Sequence, residues 1–133
     1  MNGFLLDTDA FLILSLQDET VTGSTRALLE AAPRYVSQIC AVELAIKHSI
    51  GKLLLPEPYV IAFASAFERT VSEFQADVLP LALRHIQILS RLPLLHRDPF
   101  DRMIISQAIA EGLTVVTRDS AFVGYDSLSV LEI

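Results

Sequence analysis

The sequence predicts an α/β domain with a mostly parallel central sheet and helices on both faces. Three observations predict it. Short apolar or β-branched runs alternate with amphipathic stretches of helical period along the whole chain, the order that βαβ crossovers impose. The chain has 133 residues, enough for one compact domain, residues 1–133, with a real core and too few for two. Two acids, Asp7 and Asp119, stand just beyond two of the runs, where an open parallel sheet binds its ligands.

Taken in order, residues 3–6 are an apolar run that reads as a strand, then a turn at Asp7-Thr8-Asp9 and a helix from Ala10 to Leu16. A polar loop covers Gln17 to Thr22. Thr25 to Ala32 reads as a helix that stops before Pro33. Tyr35-Val36 is a short strand, Ser37 an N-cap, and Gln38 to Ser49 a helix closed by Gly51. After a connector at residues 52–56, Pro58 to Phe74 reads as one long helix with Phe63, Phe67 and Phe74 on one side, a packing stripe. Val78 to Leu81 is a strand, placed near an edge by Pro80. Ala82 to Arg91 and Pro99 to Glu111 are helices, the second capped by Asp98 and ended by Gly112. Leu113 to Thr117 is the clearest strand, Asp119 to Val123 a turn or short helix, and Leu128 to Ile133 the last strand.

Composition narrows the function classes. Hydrophobic residues make up 52% of the chain and charged residues 20%, a folded protein rather than a disordered one. Mean hydropathy is +0.47, yet no apolar run reaches the length of a membrane span. The first residues lack a basic region and read as a strand, so no secretory leader is expected. Cys40 is the single cysteine, which leaves no internal disulfide and no multi-cysteine zinc site and fits a reducing cytoplasm. A net charge of −6 argues against a surface that grips nucleic acid as a whole, though not against local basic contacts. The apolar excess leaves room for an oligomer or partner surface.

The chemistry lies in the acids. Asp98 is explained by capping, and Asp7 or Asp119 alone could be too. Asp101 sits three, four and seven residues before Ile104, Ile105 and Ala108, on the core side of its own helix, where a first-turn dipole explanation is incomplete. Glu43 lies about two turns into its helix, beyond capping, on a face with Ile39, Ile46 and Ile50; an exposed pair with Lys47 is the plain alternative. Four carboxylates meeting at one sheet edge would repel one another and raise their own pKa values. Hard cations relieve that conflict, and an all-carboxylate set points to Mg²⁺ or Mn²⁺ rather than zinc. Such ions activate water in phosphodiester hydrolysis. His48, His85 and His96 have no ligand-like spacing and read as ordinary residues; no Gly-rich phosphate loop and no G-x-S-x-G elbow is present.

The stretches Leu5-Leu6-Asp7-Thr8, Glu43-Leu44-Ala45-Ile46-Lys47 with Gly51-Lys52-Leu53, His96 to Arg102, and Val116-Thr117-Arg118-Asp119 span nearly the whole chain. In these the chain resembles the PIN-domain nucleases, and among them the VapC-type toxins of bacterial toxin–antitoxin pairs. The resemblance implies a PIN-like three-layer fold and a cytoplasmic, metal-dependent endoribonuclease. It implies Asp7, Glu43, Asp101 and Asp119 as a quartet holding Mg²⁺ (or Mn²⁺), with Thr8 and Thr117 beside the metal. RNA is the implied substrate, a cognate antitoxin and a second copy of the chain the implied partners. Arg102, Arg118 and Lys47 are candidates for phosphate or transition-state contacts, although for Lys47 a solvated surface charge is the preferred reading. One departure is Asp9, where the close subgroup usually has His.

Two other readings compete. Asp7-Thr8-Asp9 after a strand also fits a haloacid-dehalogenase-type phosphohydrolase, with Asp7 as nucleophile and Asp9 as general acid. Against it, Phe11 stands where Thr or Val is usual, and no later lysine is evident. A catalytically silent, partner-binding version of the fold is the third, opposed by the intact acids.

Overall fold

The computed structural model describes residues 2–15 and 20–133; the expected helix end at Leu16 and the loop residues 17–19 lie outside them. Five strands, β1 (Phe4–Leu6), β2 (Arg34–Ser37), β3 (Asp77–Leu79), β4 (Thr114–Thr117) and β5 (Ser129–Glu132), form one sheet in the order β3-β2-β1-β4-β5. Every pairing is parallel, with Leu5 opposite Tyr35 on one side and Val115 on the other. Among the described residues, seven helices flank it: α1 (Thr8–Ser15), α2 (Gly23–Glu30), α3 (Gln38–Ser49), α4 (Glu57–Ile61), α5 (Phe63–Glu73), α6 (Leu83–Leu89) and α7 (Pro99–Glu111). All residues of β1 and β4 are buried, so both faces of the sheet centre are covered, as a parallel sheet requires. The core runs through Leu5, Leu6, Val36, Val115 and Val116 to Phe4, Phe11, Leu44, Ile104, Ile105 and Phe122.

The strand order explains where a site can form. From β1 the chain steps outward through β2 to β3, then returns to add β4 and β5 on the other side of β1. The order therefore reverses between β1 and β4, and the crevice beyond their carboxyl ends is the switch point of the sheet. Asp7 follows β1 directly, and Asp119 lies two residues past β4.

Most expected elements occur where the sequence places them, with three differences. Helix α1 begins at Thr8 rather than Ala10, because Asp7 itself caps it: the Ala10 N–H donates to Asp7 Oδ1 at 2.8 Å. Strand β3 ends at Leu79, leaving Pro80, which has no N–H to give, outside the ladder. The helix expected over 58–74 is two, broken at Ala62, whose φ of −148° and ψ of 81° are not helical. Around that break Tyr59, Phe63 and Phe67 pack ring against ring, Phe67 reaches Phe11 at 5.3 Å, and the Tyr59 hydroxyl donates to Thr70. The ring contacts at four-residue spacing suit any helix, but a straight one would hold Tyr59 and Thr70 about three turns apart, too far for that bond.

Two buried links fix the helices that carry acids. Ser37 caps α3 through the Ile39 N–H and donates to Gln107 Oε1 on α7, while the Gln107 amide donates to the carbonyls of Leu79 and Pro80. Helices α3 and α7 are thus tied to each other and to the carboxyl ends of β2 and β3. Helix α7 closes at Gly112, whose φ of +66° is a left-handed C-cap that favours glycine.

Candidate metal centre

The acids of the switch point divide their oxygens between backbone and centre. Asp7 Oδ1 caps α1, and Asp7 Oδ2 accepts from the Thr117 hydroxyl at 2.5 Å. The same hydroxyl accepts from the Asp119 N–H at 3.0 Å, which links the ends of β1 and β4. Asp119 Oδ1 caps the 3₁₀ turn Ser120–Phe122 through the Ala121 N–H, and its Oδ2 lies 3.7 Å from His96 Nε2. Asp98 caps α7 by accepting from the Asp101 N–H. Asp101, one turn in, turns its Oδ2 toward His96 Nε2 at 2.8 Å. An ionised carboxylate can only accept, so Nε2 carries the hydrogen of that bond.

Glu43 reaches the cluster from α3. It is buried, and both its oxygens are engaged: Oε1 by the Thr8 hydroxyl and Oε2 by the Lys47 ammonium, each at 2.6 Å. The pair with Lys47 considered from sequence therefore exists, but around a buried carboxylate. The burial does not come from Ile46 and Ile50, which are 44% and 59% exposed; it comes from Ile39, Cys40 and Leu44.

Burial at close quarters shifts these acids. Desolvation raises the Asp7 carboxyl to about 7, with Asp9 and Asp101 adding repulsion and the Thr117 and Ala10 hydrogen bonds opposing it. Asp101 is raised to about 6, by burial first and then by Asp98 and Glu43, against the pull of His96. Asp7 thus feels the charge of Asp101, Asp101 feels that of Glu43, and Asp101 and Asp119 share His96.

The basic candidates fall differently. Arg118 lies beside the acids on an open cavity of about 420 Å³ lined by Asp9, Leu12, Ile13, Arg118 and Asp119, and donates to Thr20 at its edge. Asp9 is exposed on the first turn of α1. Arg102 faces away from the expected phosphate role: its guanidinium donates to the carbonyls of Leu92, Pro93 and His96 and so clamps the loop before α7. That clamp bears on the residue that sequence reasoning passed over. His96 is held by Arg102 on its carbonyl, by the Tyr125 hydroxyl on its N–H at 2.8 Å, and by Phe122 at 5.6 Å from its ring. Its one sequence signal is position, five residues before Asp101 and directly ahead of the acidic run. Among the described residues, His96, Asp101 and Asp119 each offer a ligand atom within 4.8 Å of the others, a spacing that could hold a metal ion.

The PIN domain family model matches residues 4–128, nearly the whole chain. The chain belongs to the PIN domain family. This is a nuclease family, and the match sets the phosphohydrolase alternative aside. No curated protein matches the chain significantly in sequence. Among solved structures, it is similar in fold to VapBC2 from Rickettsia felis bound to a DNA fragment from its promoter, with 19% identity, 97% of each chain covered and a TM-score of 0.73. DNA-bound VapBC from Salmonella typhimurium gives 21% identity, 99% and 98% coverage and 0.67. VapBC-5 of the toxin–antitoxin family from Mycobacterium tuberculosis gives 18%, full coverage of both chains and 0.65. Among the described residues no helix is long and apolar enough to cross a membrane.

The donor set fits a divalent ion. Carboxylate oxygens suit Mg²⁺ and Mn²⁺, and an imidazole nitrogen beside them favours Mn²⁺ of the two. A buried and a half-buried acid with raised pKa values are the electrostatic signature of a place that gains from positive charge.

Proposed function

We propose that this PIN domain is a metal-dependent endoribonuclease, a VapC-type toxin. What supports the reading most is that Asp101 and Asp119 turn ligand atoms toward each other and His96 at the switch point, beside buried Asp7, with the carboxyls of Asp7 and Asp101 both raised. Asp7, Asp101 and Asp119, with His96, would hold Mg²⁺ or Mn²⁺, and Glu43, the fourth acid of the quartet, would face them from the α3 side with Lys47 on its Oε2. A bound ion of this kind activates water and stabilises the leaving oxygen in phosphodiester hydrolysis.

The chain's own residues do the rest. Thr117 orients Asp7 and Asp119 together, and Thr8 orients Glu43, so the carboxylates are fixed before substrate arrives. His96 Nε2 must give up its hydrogen to become a ligand, so binding there would release a proton. Arg118, on the open side beside Asp119, is placed to meet an RNA phosphate. Arg102 acts through the His96 loop.

Likeness to VapBC assemblies supports a protein antitoxin as partner. Exposed Leu54, Ile61, Leu83 and Leu94 offer apolar surface for that partner and for a homodimer. Light scattering at high concentration should report a dimer; monomer alone would remove that part of the reading.

The test of activity is direct. Purified chain should cleave single-stranded RNA with Mg²⁺ or Mn²⁺, lose cleavage in EDTA, and release no phosphate from small phosphoesters. Cleavage undiminished by EDTA would end the metal-dependent reading. Ion binding without hydrolysis of any RNA would favour the catalytically silent fold.

A further inference from the structure

The two sides of the acidic cluster are built differently. On one side, Asp101, Asp119 and His96 turn ligand atoms toward one another within 4.8 Å. On the other, Glu43, which like Asp7 lies outside that group, has donors on both oxygens at 2.6 Å. One of those donors is a full positive charge. Lys47 is one helical turn beyond Glu43 on α3, so the helix keeps its ammonium at the carboxylate. The field around that ammonium is acidic beyond Glu43: Asp9 from α1 and Asp98 from the α7 cap also favour its charged form.

We propose that the Lys47 ammonium is the second cation of this site: it holds Glu43 in place of a second divalent ion, so the chain takes one Mg²⁺ or Mn²⁺ rather than two. Three features lead there. Glu43 is buried, and a buried carboxylate needs a permanent counter-charge. Lys47 is half exposed, so its ammonium reaches Glu43 from the solvent side, where a second ion would otherwise enter. A two-metal nuclease site needs an acid that serves the second ion, and the Lys47 ammonium already occupies the Glu43 oxygen that Thr8 leaves, Oε2. Lys47 is thus a positioning and specificity residue. It sets the number of ions and keeps Glu43 aligned with Thr8.

The inference rests on the metal-dependent reading above, and the experiment separates the two. The full chain is titrated with MnCl₂ alone, and bound ions are counted from the loss of the free-Mn²⁺ electron paramagnetic resonance signal. Wild type should bind one ion per chain. Lys47→Met frees Glu43 Oε2 and strips its counter-charge, so the variant should bind two. Lys47→Arg keeps the charge and should return to one. Circular dichroism checks folding, and Lys47→Gln is read in the same way if Lys47→Met does not fold. Two ions on wild type, or one on a folded Lys47→Met or Lys47→Gln, overturns the proposal while leaving metal dependence intact. No ion on wild type overturns both.

Discussion

Asp7→Asn should make the protein more stable at neutral pH while removing its activity. The Asp7 carboxyl is 3% exposed, and burial raises it from 3.8 to about 7. For an acid raised on folding, the protonated form is the one the fold prefers. The stabilisation is therefore complete below about pH 4 and is lost as pH rises through about 7. A shift of about three units, at ~1.4 kcal/mol per unit, sets a ceiling of about 4 kcal/mol on that loss. Asparagine is neutral at every pH. Its side-chain oxygen still accepts from the Ala10 N–H, and its amide can still bond Thr117. Allowing for an imperfect fit at Thr117, the variant should gain about 1–3 kcal/mol at pH 7.5, roughly 3–10 °C in Tm for a chain of this size.

Thermal melts of both proteins in EDTA, at steps from pH 4 to pH 8, measure this directly. Asp101, raised to about 6, contributes a slope of its own. Because that slope is common to both proteins, the difference curve isolates Asp7. It should be small at pH 4, grow up to about pH 7 and level off above it. Mg²⁺ should then raise the wild-type Tm and leave Asp7→Asn nearly unmoved, and RNA cleavage should be lost because an amide is a poor ligand for a hard cation. If Asp7→Asn is less stable than wild type in EDTA by an amount independent of pH, the carboxylate is a helix cap with no electrostatic strain, and the reasoning fails.

Three further outcomes are expected. Asp101→Asn should abolish most cleavage and Asp98→Asn should change it little, since asparagine caps a helix about as well as aspartate; the reverse result in a cleavage assay would mean the wrong acid has been assigned. Arg102→Ala should cost about 1–3 kcal/mol in urea unfolding, because three carbonyls lose a charged donor; unchanged stability with lost cleavage would return Arg102 to a phosphate-contact role. His96→Gln should fold normally and weaken Mn²⁺ binding by about 10-fold or more, read by isothermal titration, as loss of a ligand or of a ligand's partner does; unaltered affinity would leave His96 as a support for Asp101 only.

Much of this arrangement is legible in the sequence, because it depends on local signals. Asp98-Pro99 and Gly112 mark the ends of α7, and the β-branched run before Thr117 marks β4. What is not legible depends on contacts distant in the chain. Ala62 is a good helix former, so nothing nearby announces the break between α4 and α5; Phe11, about fifty residues away, takes part in setting it. His96 has no partner at ligand spacing, and only the folded loop, fastened by Arg102 and Tyr125, aims its ring at Asp101. Glu43 is buried, as its helix face suggests, but on a partly mistaken ground. The apolar residues of α3 are not all core residues, and Ile46 and Ile50 face outward.

Capping and metal binding look like rival explanations of an aspartate, and in the proposed site they are one arrangement. In a parallel sheet the chain leaves each strand at its carboxyl end and turns at once into a helix or tight turn, so a capping acid there is held at the switch point by its first oxygen. Asp7 and Asp119 each give Oδ1 to a backbone N–H, while Asp7 Oδ2 accepts from Thr117 and Asp119 Oδ2 lies 3.7 Å from His96; Asp101 reaches His96 from an α7 whose start Asp98 has already capped. The caps fix the direction of the second oxygen with little freedom left to lose on binding. It follows that Asp→Ala at positions 7 or 119 removes a cap and a ligand together, and lost activity would not say which mattered. Asp→Asn keeps the acceptor that caps and replaces the oxygen that faces the centre with an amide. If the Asn variants of Asp7 and Asp119 fold as wild type does but bind no Mn²⁺, the second oxygen is the functional one; if they bind Mn²⁺ with wild-type affinity, these two acids are caps and nothing more.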